Sequence, residues 1–245
     1  MTFSRTAAAL LAGLVAIATP ALAQEFTVTH AQGETTLPGV PQKVVSFDFA
    51  AIETLEAIGV NIAGLPGSNL PAHLEKYASD DYAKVGSLFE PDYEALAALE
   101  PDLIIVAGRS SGAYEELAKI APTVDLSNDW ADFYGSIQAN ADIVGQLFDK
   151  EAEIDALQAE TDAKVEAAKA AAADAGKGLI VLTSGAEVSA YGPGSRFGFI
   201  HDTLGVAPVI EDVEAATHGD AISFEFILEA NPDMLFVIDR DAATG

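Results

Sequence analysis

The chain has 245 residues, with 12 Lys and Arg, 38 Asp and Glu, 4 His, no Cys, and half of its residues apolar. The absence of cysteine excludes a disulfide scaffold, a thiolate metal site, a Cys nucleophile and a lipid-anchored N-terminal cysteine. A net charge of −26 sets the long-range field against nucleic acid and anionic membrane as partners, and the apolar content suffices for one large packed domain or two small ones.

Residues 1–23 read as a cleavable secretory signal. Arg5 gives a positive start, Ala7 to Ala18 are apolar but too short to span a bilayer, and Ala21-Leu22-Ala23 is a small-x-small cleavage pattern. Cleavage after Ala23 leaves 222 residues and, with Arg5 removed from a charge of −26, a net −27. An exported, cysteine-free chain suits the bacterial periplasm.

Phe26 to Pro38 alternates polar and apolar residues about Gly33 and predicts a hairpin. Val44 to Phe47 predicts a strand, Phe49 to Ile58 a helix ended by Gly59, and Val60 to Leu65 another strand. Leu103 to Ala107 is a continuous apolar run, as in a parallel strand covered on both faces. This alternation is the α/β pattern. From Asn140 to Ala175 the composition turns to Ala, Glu, Asp and Lys, with Ile143, Leu147, Ile154, Leu157 and Val165 as an apolar stripe. The expectation is a single long helix over residues 140–176, stopped by Gly176 and Gly178, which joins an N-terminal lobe (24–139) to a C-terminal lobe (177–245). Among the histidines, His201 reads as structural together with Asp202, while His30 and His73 read as surface residues.

The most informative feature is an internal repeat. Residues Glu94 to Arg109 align without a gap on Glu225 to Arg240, and Glu, Pro-Asp, Val and Arg recur at matching places. Each copy predicts a short helix, a Pro-Asp turn, a buried strand and an arginine where the strand ends. Two such units flanking a long helix predict two similar lobes facing each other.

The predicted mature chain has three arginines, Arg109, Arg196 and Arg240. Arg196 lies in the glycine-rich loop Tyr191-Gly-Pro-Gly-Ser-Arg-Phe-Gly198, after a strand predicted from Leu179 to Thr183. Each arginine therefore follows a strand, where open α/β sheets bind ligands, whereas the lysines are scattered. Guanidinium groups converging there suit an anionic, oxygen-rich ligand; the bland alternative is structural pairing with the many carboxylates.

With these segments on view, the chain resembles periplasmic substrate-binding proteins of ABC importers for iron-siderophore complexes, in particular the catecholate branch that takes enterobactin-like and petrobactin-like ligands. The signatures are Lys43-Val-Val-Ser-Phe-Asp48, Val85 to Glu94, Glu100-Pro-Asp-Leu-Ile-Ile105, Gly192 to Gly198 with Ile200-His-Asp202, and His218-Gly-Asp-Ala-Ile-Ser-Phe-Glu-Phe-Ile227 leading to Arg240. The Pro-Asp turns are shared with the wider vitamin B12, haem and metal-ion binders; the Ser-Arg-Phe-Gly loop and the His218 segment are more specific.

The resemblance implies two Rossmann-like lobes joined by a backbone helix with little hinge motion. It implies that Arg109, Arg196 and Arg240 bind the ligand between the lobes, with Tyr191 and Phe197 packing against its rings. It implies that His218 can take an open coordination site on iron, and that Glu94 and Glu225, one per lobe, dock onto a dimeric permease. Family members also continue beyond the point matching Gly245, so the second lobe is expected to be C-terminally incomplete, with an exposed sheet edge. No G-x-S-x-G, HExxH or Walker loop supports an enzyme. The expectation is a monomeric periplasmic receptor with no intrinsic cofactor that delivers an anionic ferric (Fe3+) siderophore, of catecholate type, to the inner-membrane permease. The alternative is a receptor for another iron complex, haem, vitamin B12 or a bare metal ion.

Overall fold

Leu103–Val106 (β6) is buried at every position, as an apolar run predicts for a strand covered on both faces. The structure, a computed structural model, describes residues 25–213 and 219–244; the expected signal segment and His218 lie outside the described residues. Around β6 the first lobe assembles β3 (Val44–Ser46), α1 (Phe49–Ala57), β4 (Ile62–Leu65), β5 (Ala83–Lys84), α2 (Tyr93–Leu99), α3 (Tyr114–Leu117) and β7 (Thr123–Asp125). All pairs are parallel, in the order β5-β4-β3-β6-β7.

The predicted hairpin forms β1 (Phe26–His30) and β2 (Gly33–Leu37), antiparallel about Gly33. A polar network fastens it to β7. The buried carboxylate of Asp125 accepts from Gln32 Nε2 and Ser111 Oγ, both at 2.6 Å, and from Ser127 N and Oγ at 2.8 and 2.5 Å. His30, read from sequence as a surface residue, is buried. Its Nδ1 accepts from Gln32 N at 3.2 Å, its Nε2 lies 2.9 Å from Thr35 Oγ1, and that hydroxyl donates to Thr123 O at 2.6 Å. Periodicity misses this because the partners lie on another strand. His73 is exposed and bonds Glu53, while His201 is buried against Val206 O at 2.7 Å, in its structural role.

The long helix expected over 140–176 is two helices. α4 (Phe133–Phe148) ends at Asp149, left-handed at φ 53°, and α5 (Glu151–Ala172) folds back along it. Tyr134 Oη donates to Asp162 at 2.7 Å, and Gln158 Nε2 donates to Gln138 O at 2.9 Å. The reversal lets Val144, Leu147 and Phe148 of α4 and Ile154 and Leu157 of α5 reach the same core. A straight helix would have carried one of the two sets away from it. α5 spans about 33 Å at 1.5 Å per residue and leads into the second lobe.

That lobe contains β8 (Lys177–Ser184), β9 (Glu187–Tyr191), α6 (Phe199–Asp202), β10 (Ala207–Pro208), β11 (Asp220–Ala221), α7 (Phe224–Ala230), β12 (Met234–Asp239) and α8 (Arg240–Thr244). β9 returns antiparallel on β8 through Gly185 and Ala186, and β12 pairs parallel with β8 on the other side. Among the described residues β12 pairs only with β8, and its Leu235 and Val237 are 45% and 55% exposed. Phe199 meets Phe133 and Tyr134 at 6.0 and 6.3 Å between ring centroids, joining the lobes through α6 and α4.

The repeat is realised in its helix, Pro-Asp turn and strand, although β12 is half-exposed where β6 is fully buried. Asp92 and Ser223 cap α2 and α7, and Glu100 and Asn231 close them in the left-handed conformation at φ 51° and 43°. The Pro-Asp aspartates then tie each repeat to the first parallel strand of its lobe. Asp102 accepts from Gln42 N and Lys43 N, and Asp233 accepts from Lys177 N, all at 2.8 Å. The matching backbone amides donate to Lys43 O and Lys177 O at 3.0 and 2.9 Å.

Burial pushes the Asp125 carboxyl up, but hydrogen bonds from Ser111, Ser127 and Gln32 outweigh it and hold the group below its ordinary 3.8. Its stabilising contribution is therefore complete above 3.8 and lost as pH falls through the lowered folded value. Asp125→Asn should cost about 1–3 kcal/mol at pH 7. In urea denaturation from pH 7 to pH 3 that deficit should shrink on the acid side.

Candidate ligand-binding cleft

Each arginine is placed by a local device. Arg109 sits on the turn after β6, where Ser110 Oγ, buried, bonds Ala107 N at 3.0 Å and donates to Phe47 O at 3.2 Å. On the other side Gly108 N donates to Ser127 Oγ at 2.8 Å, so the Asp125 network reaches this turn through Ser127. Arg240, expected in a loop, instead opens α8, and its Nη1 lies 3.4 Å from Ser184 Oγ.

Arg196 rides on the glycine-rich loop. Gly194 takes φ 70°, and a Cβ at Gly198 would lie 2.5 Å from Asp202 Oδ2 and 2.9 Å from Gly194 N, so both glycines are required. Ser195 Oγ donates to Gly192 O at 2.6 Å, and Gly194 N donates to Asp202 Oδ2 at 2.7 Å. The guanidinium carbon lies 4.6 Å from the Phe197 ring centroid and 5.4 Å from that of Tyr191. Its Nη2 donates to Tyr191 Oη at 3.2 Å, while its buried Nε has no partner among the described residues.

The three arginines line one cavity of about 320 Å³, with Leu182, Ser184, Glu187, Ser189 and Tyr191. Arg109 comes from the first lobe and the other residues from the second, so the cavity lies between them. Neither Arg109 nor Arg196 forms an ion pair among the described residues. Asp48, which caps α1 through Ala51 N at 2.8 Å, lies close enough for Arg109 to lower its pKa. Burial dominates, however, and leaves that carboxyl above its ordinary value.

The sequence placed Tyr191 and Phe197 against the ligand. Tyr191 lines the cavity but is only 1% exposed, and Phe197 lies beneath Arg196 and edge-on to Tyr191 at 4.8 Å. Glu94 and Glu225 are exposed in the first turns of α2 and α7. Glu187 was not singled out; the Ser184-Gly185-Ala186-Glu187 turn was the signal that could have revealed β9 and this residue. Among the described residues no group of three His, Cys, Asp or Glu side chains can hold a metal ion.

The periplasmic binding protein family matches residues 44–245. The chain belongs to that family. It is 43% identical over 227 residues to the petrobactin-binding protein YclQ of Bacillus subtilis, covering 91% of this chain and 72% of the relative. The crystal structure of that protein superposes with a TM-score of 0.87, over 91% of this chain and 80% of the other. The ferric-anguibactin-binding protein FatB of Vibrio anguillarum is 36% identical over 89% of this chain and 69% of its own length. The catecholate-siderophore binding protein VctP of Vibrio cholerae gives a TM-score of 0.85 at 33% identity, covering 90% of this chain and 80% of VctP.

Tyr191→Phe removes the hydroxyl that holds Arg196 and leaves the ring stack in place. The expected result is three- to tenfold weaker ligand binding, equivalent to roughly 0.5–1.5 kcal/mol, with an unchanged midpoint of urea unfolding.

Proposed function

We propose that this chain is the substrate-binding component of an ABC importer, which captures an anionic ferric siderophore in the cleft between its lobes and delivers it to an inner-membrane permease. The observation that carries the reading is the cavity itself: three arginines line it in a protein of net charge −26, and the half-buried Arg196 has no carboxylate partner among the described residues. Burying a cation without a counter-ion is costly, and a cavity that keeps it so is preorganised for an anion supplied from outside. A ferric tris-catecholate, of charge −3, is such an anion: the lining stays net positive with Glu187 counted, and the catecholate oxygens accept charge-assisted hydrogen bonds from guanidinium forks. The relatives named for petrobactin, anguibactin and catecholate siderophores point to the same ligand class.

In this reading Arg109, Arg196 and Arg240 contact the ligand, while Tyr191 and Phe197 hold Arg196 in place. His218 serves as an iron ligand where the siderophore leaves a coordination site open, imidazole being a suitable donor. Iron arrives as cargo, and the protein performs no chemistry on it. The periplasm is the compartment, reached through cleavage of the N-terminal signal, and the receptor works as a monomer. Glu94 and Glu225, exposed at equivalent positions of the two lobes, present paired negative charges to a permease of matching twofold symmetry.

Fluorescence titration tests the anion reading directly. Arg196→Ala should weaken a −3 ferric catecholate more than tenfold and leave a neutral ferric hydroxamate nearly unaffected; equal losses for both would sink charge matching. The double variant Glu94→Gln, Glu225→Gln should keep wild-type siderophore affinity and lose ligand transfer in a permease-reconstituted vesicle assay. Undiminished transfer would refute docking through these residues.

A further inference from the structure

Glu187 is the one acidic side chain among the described residues lining the three-arginine cavity. Strand geometry puts it there. Residues 187, 189 and 191 alternate onto the same face of β9 and all line the cavity, whereas Val188 and Ala190 between them are buried in the core on the other face. The hairpin register sets Glu187 opposite Ser184, the residue approached by Arg240, and Gly185 N donates to Asp241 Oδ2 at 2.7 Å, fastening the hairpin tip to α8. Backbone pairing thus places Glu187 in the cavity wall with its side chain exposed, and among the described residues it takes part in no ion pair.

A carboxylate in that position opposes a purely anionic ligand. It lowers the formal charge of the lining from three to two and repels the oxygens the arginines attract. Once a ligand covers it, it also loses water and needs a donor, while the guanidinium groups are engaged by the ligand. Both costs vanish if the ligand brings its own cation. We propose that Glu187 is a specificity-determining residue that pairs with a protonated amine on the bound chelate. The cavity then selects ferric chelates that combine an anionic oxygen core with an ammonium group. This inference rests on the cavity being the ferric-siderophore site.

The test uses two ferric bis-catecholate chelates, identical except that the linker of one carries a free primary amine and that of the other its N-acetyl derivative. Both are titrated by fluorescence quenching against the mature protein and against Glu187→Gln. The wild type should bind the amine-bearing chelate about tenfold more tightly, and Glu187→Gln should abolish that preference. A preference that survives in the variant, or no preference in the wild type, refutes the role of Glu187 and leaves the anion site standing. Equal tightening of both chelates in Glu187→Gln also refutes it, because the carboxylate would then act only by neutralising the arginines. If the wild type binds neither chelate, the ferric-siderophore reading fails and the inference fails with it.

Discussion

The guanidinium of Arg196, held partly out of water over two aromatic rings with its Nε unpaired among the described residues, is the constraint that organises this site. A flexible surface arginine in so acidic a chain would pair with a neighbouring carboxylate. Here the ring faces of Tyr191 and Phe197, the Tyr191 hydroxyl and a loop that requires glycine at 194 and 198 fix the side chain against that collapse. The cost of the half-buried positive charge is met by the fold, and in the proposed reading the gain is available to an anion entering the cavity.

The other two arginines reach the same cavity through duplication. In both lobes a helix capped by Asp92 or Ser223, closed by Glu100 or Asn231, leads through a Pro-Asp turn into a parallel strand and delivers an arginine at its carboxyl end. Asp102 and Asp233 do the registering work, each bonding backbone amides at the start of the lobe's first parallel strand. A side chain at the opposite end of the strand thereby helps set where an arginine ends up, and the Asp125 network adds a second restraint on the Arg109 turn through Ser127 and Gly108.

What the sequence revealed and what it hid follow from the range of the interactions. The repeat, the buried run at Leu103–Val106 and the loop at 192–198 are local, and each was legible as an element in its right place. The helix break at Asp149 was not, because a left-handed aspartate carries none of the Gly or Pro signals, and the apolar stripe on either side is equally consistent with a straight helix. Only the shared core of Val144, Leu147 and Ile154 forces the reversal. His30 was misread for a related reason: its partners Thr35 and Tyr114 and the nearby Asp125 come from three different segments. Glu187 escaped notice because a lone glutamate on a polar turn looks like solubilising charge until register turns it into the cavity.

In the proposed reading, acidity and anion capture are compatible because they act over different distances. At physiological ionic strength the field of a surface carboxylate decays over a Debye length of about 8 Å, so most of the negative charge barely reaches a ligand already in the cleft. Inside a recess of about 320 Å³ bounded by low-dielectric walls, the three guanidinium groups act at contact range and dominate. The outer charge then works on encounter rather than on binding: it slows the approach of highly anionic species and disfavours adhesion to anionic surfaces. Raised salt should consequently affect the two stages in opposite directions, easing approach while weakening the arginine contacts. The net salt dependence of affinity therefore reports the local cavity charge, where Glu187 subtracts from the three arginines, more than the −26 of the whole chain.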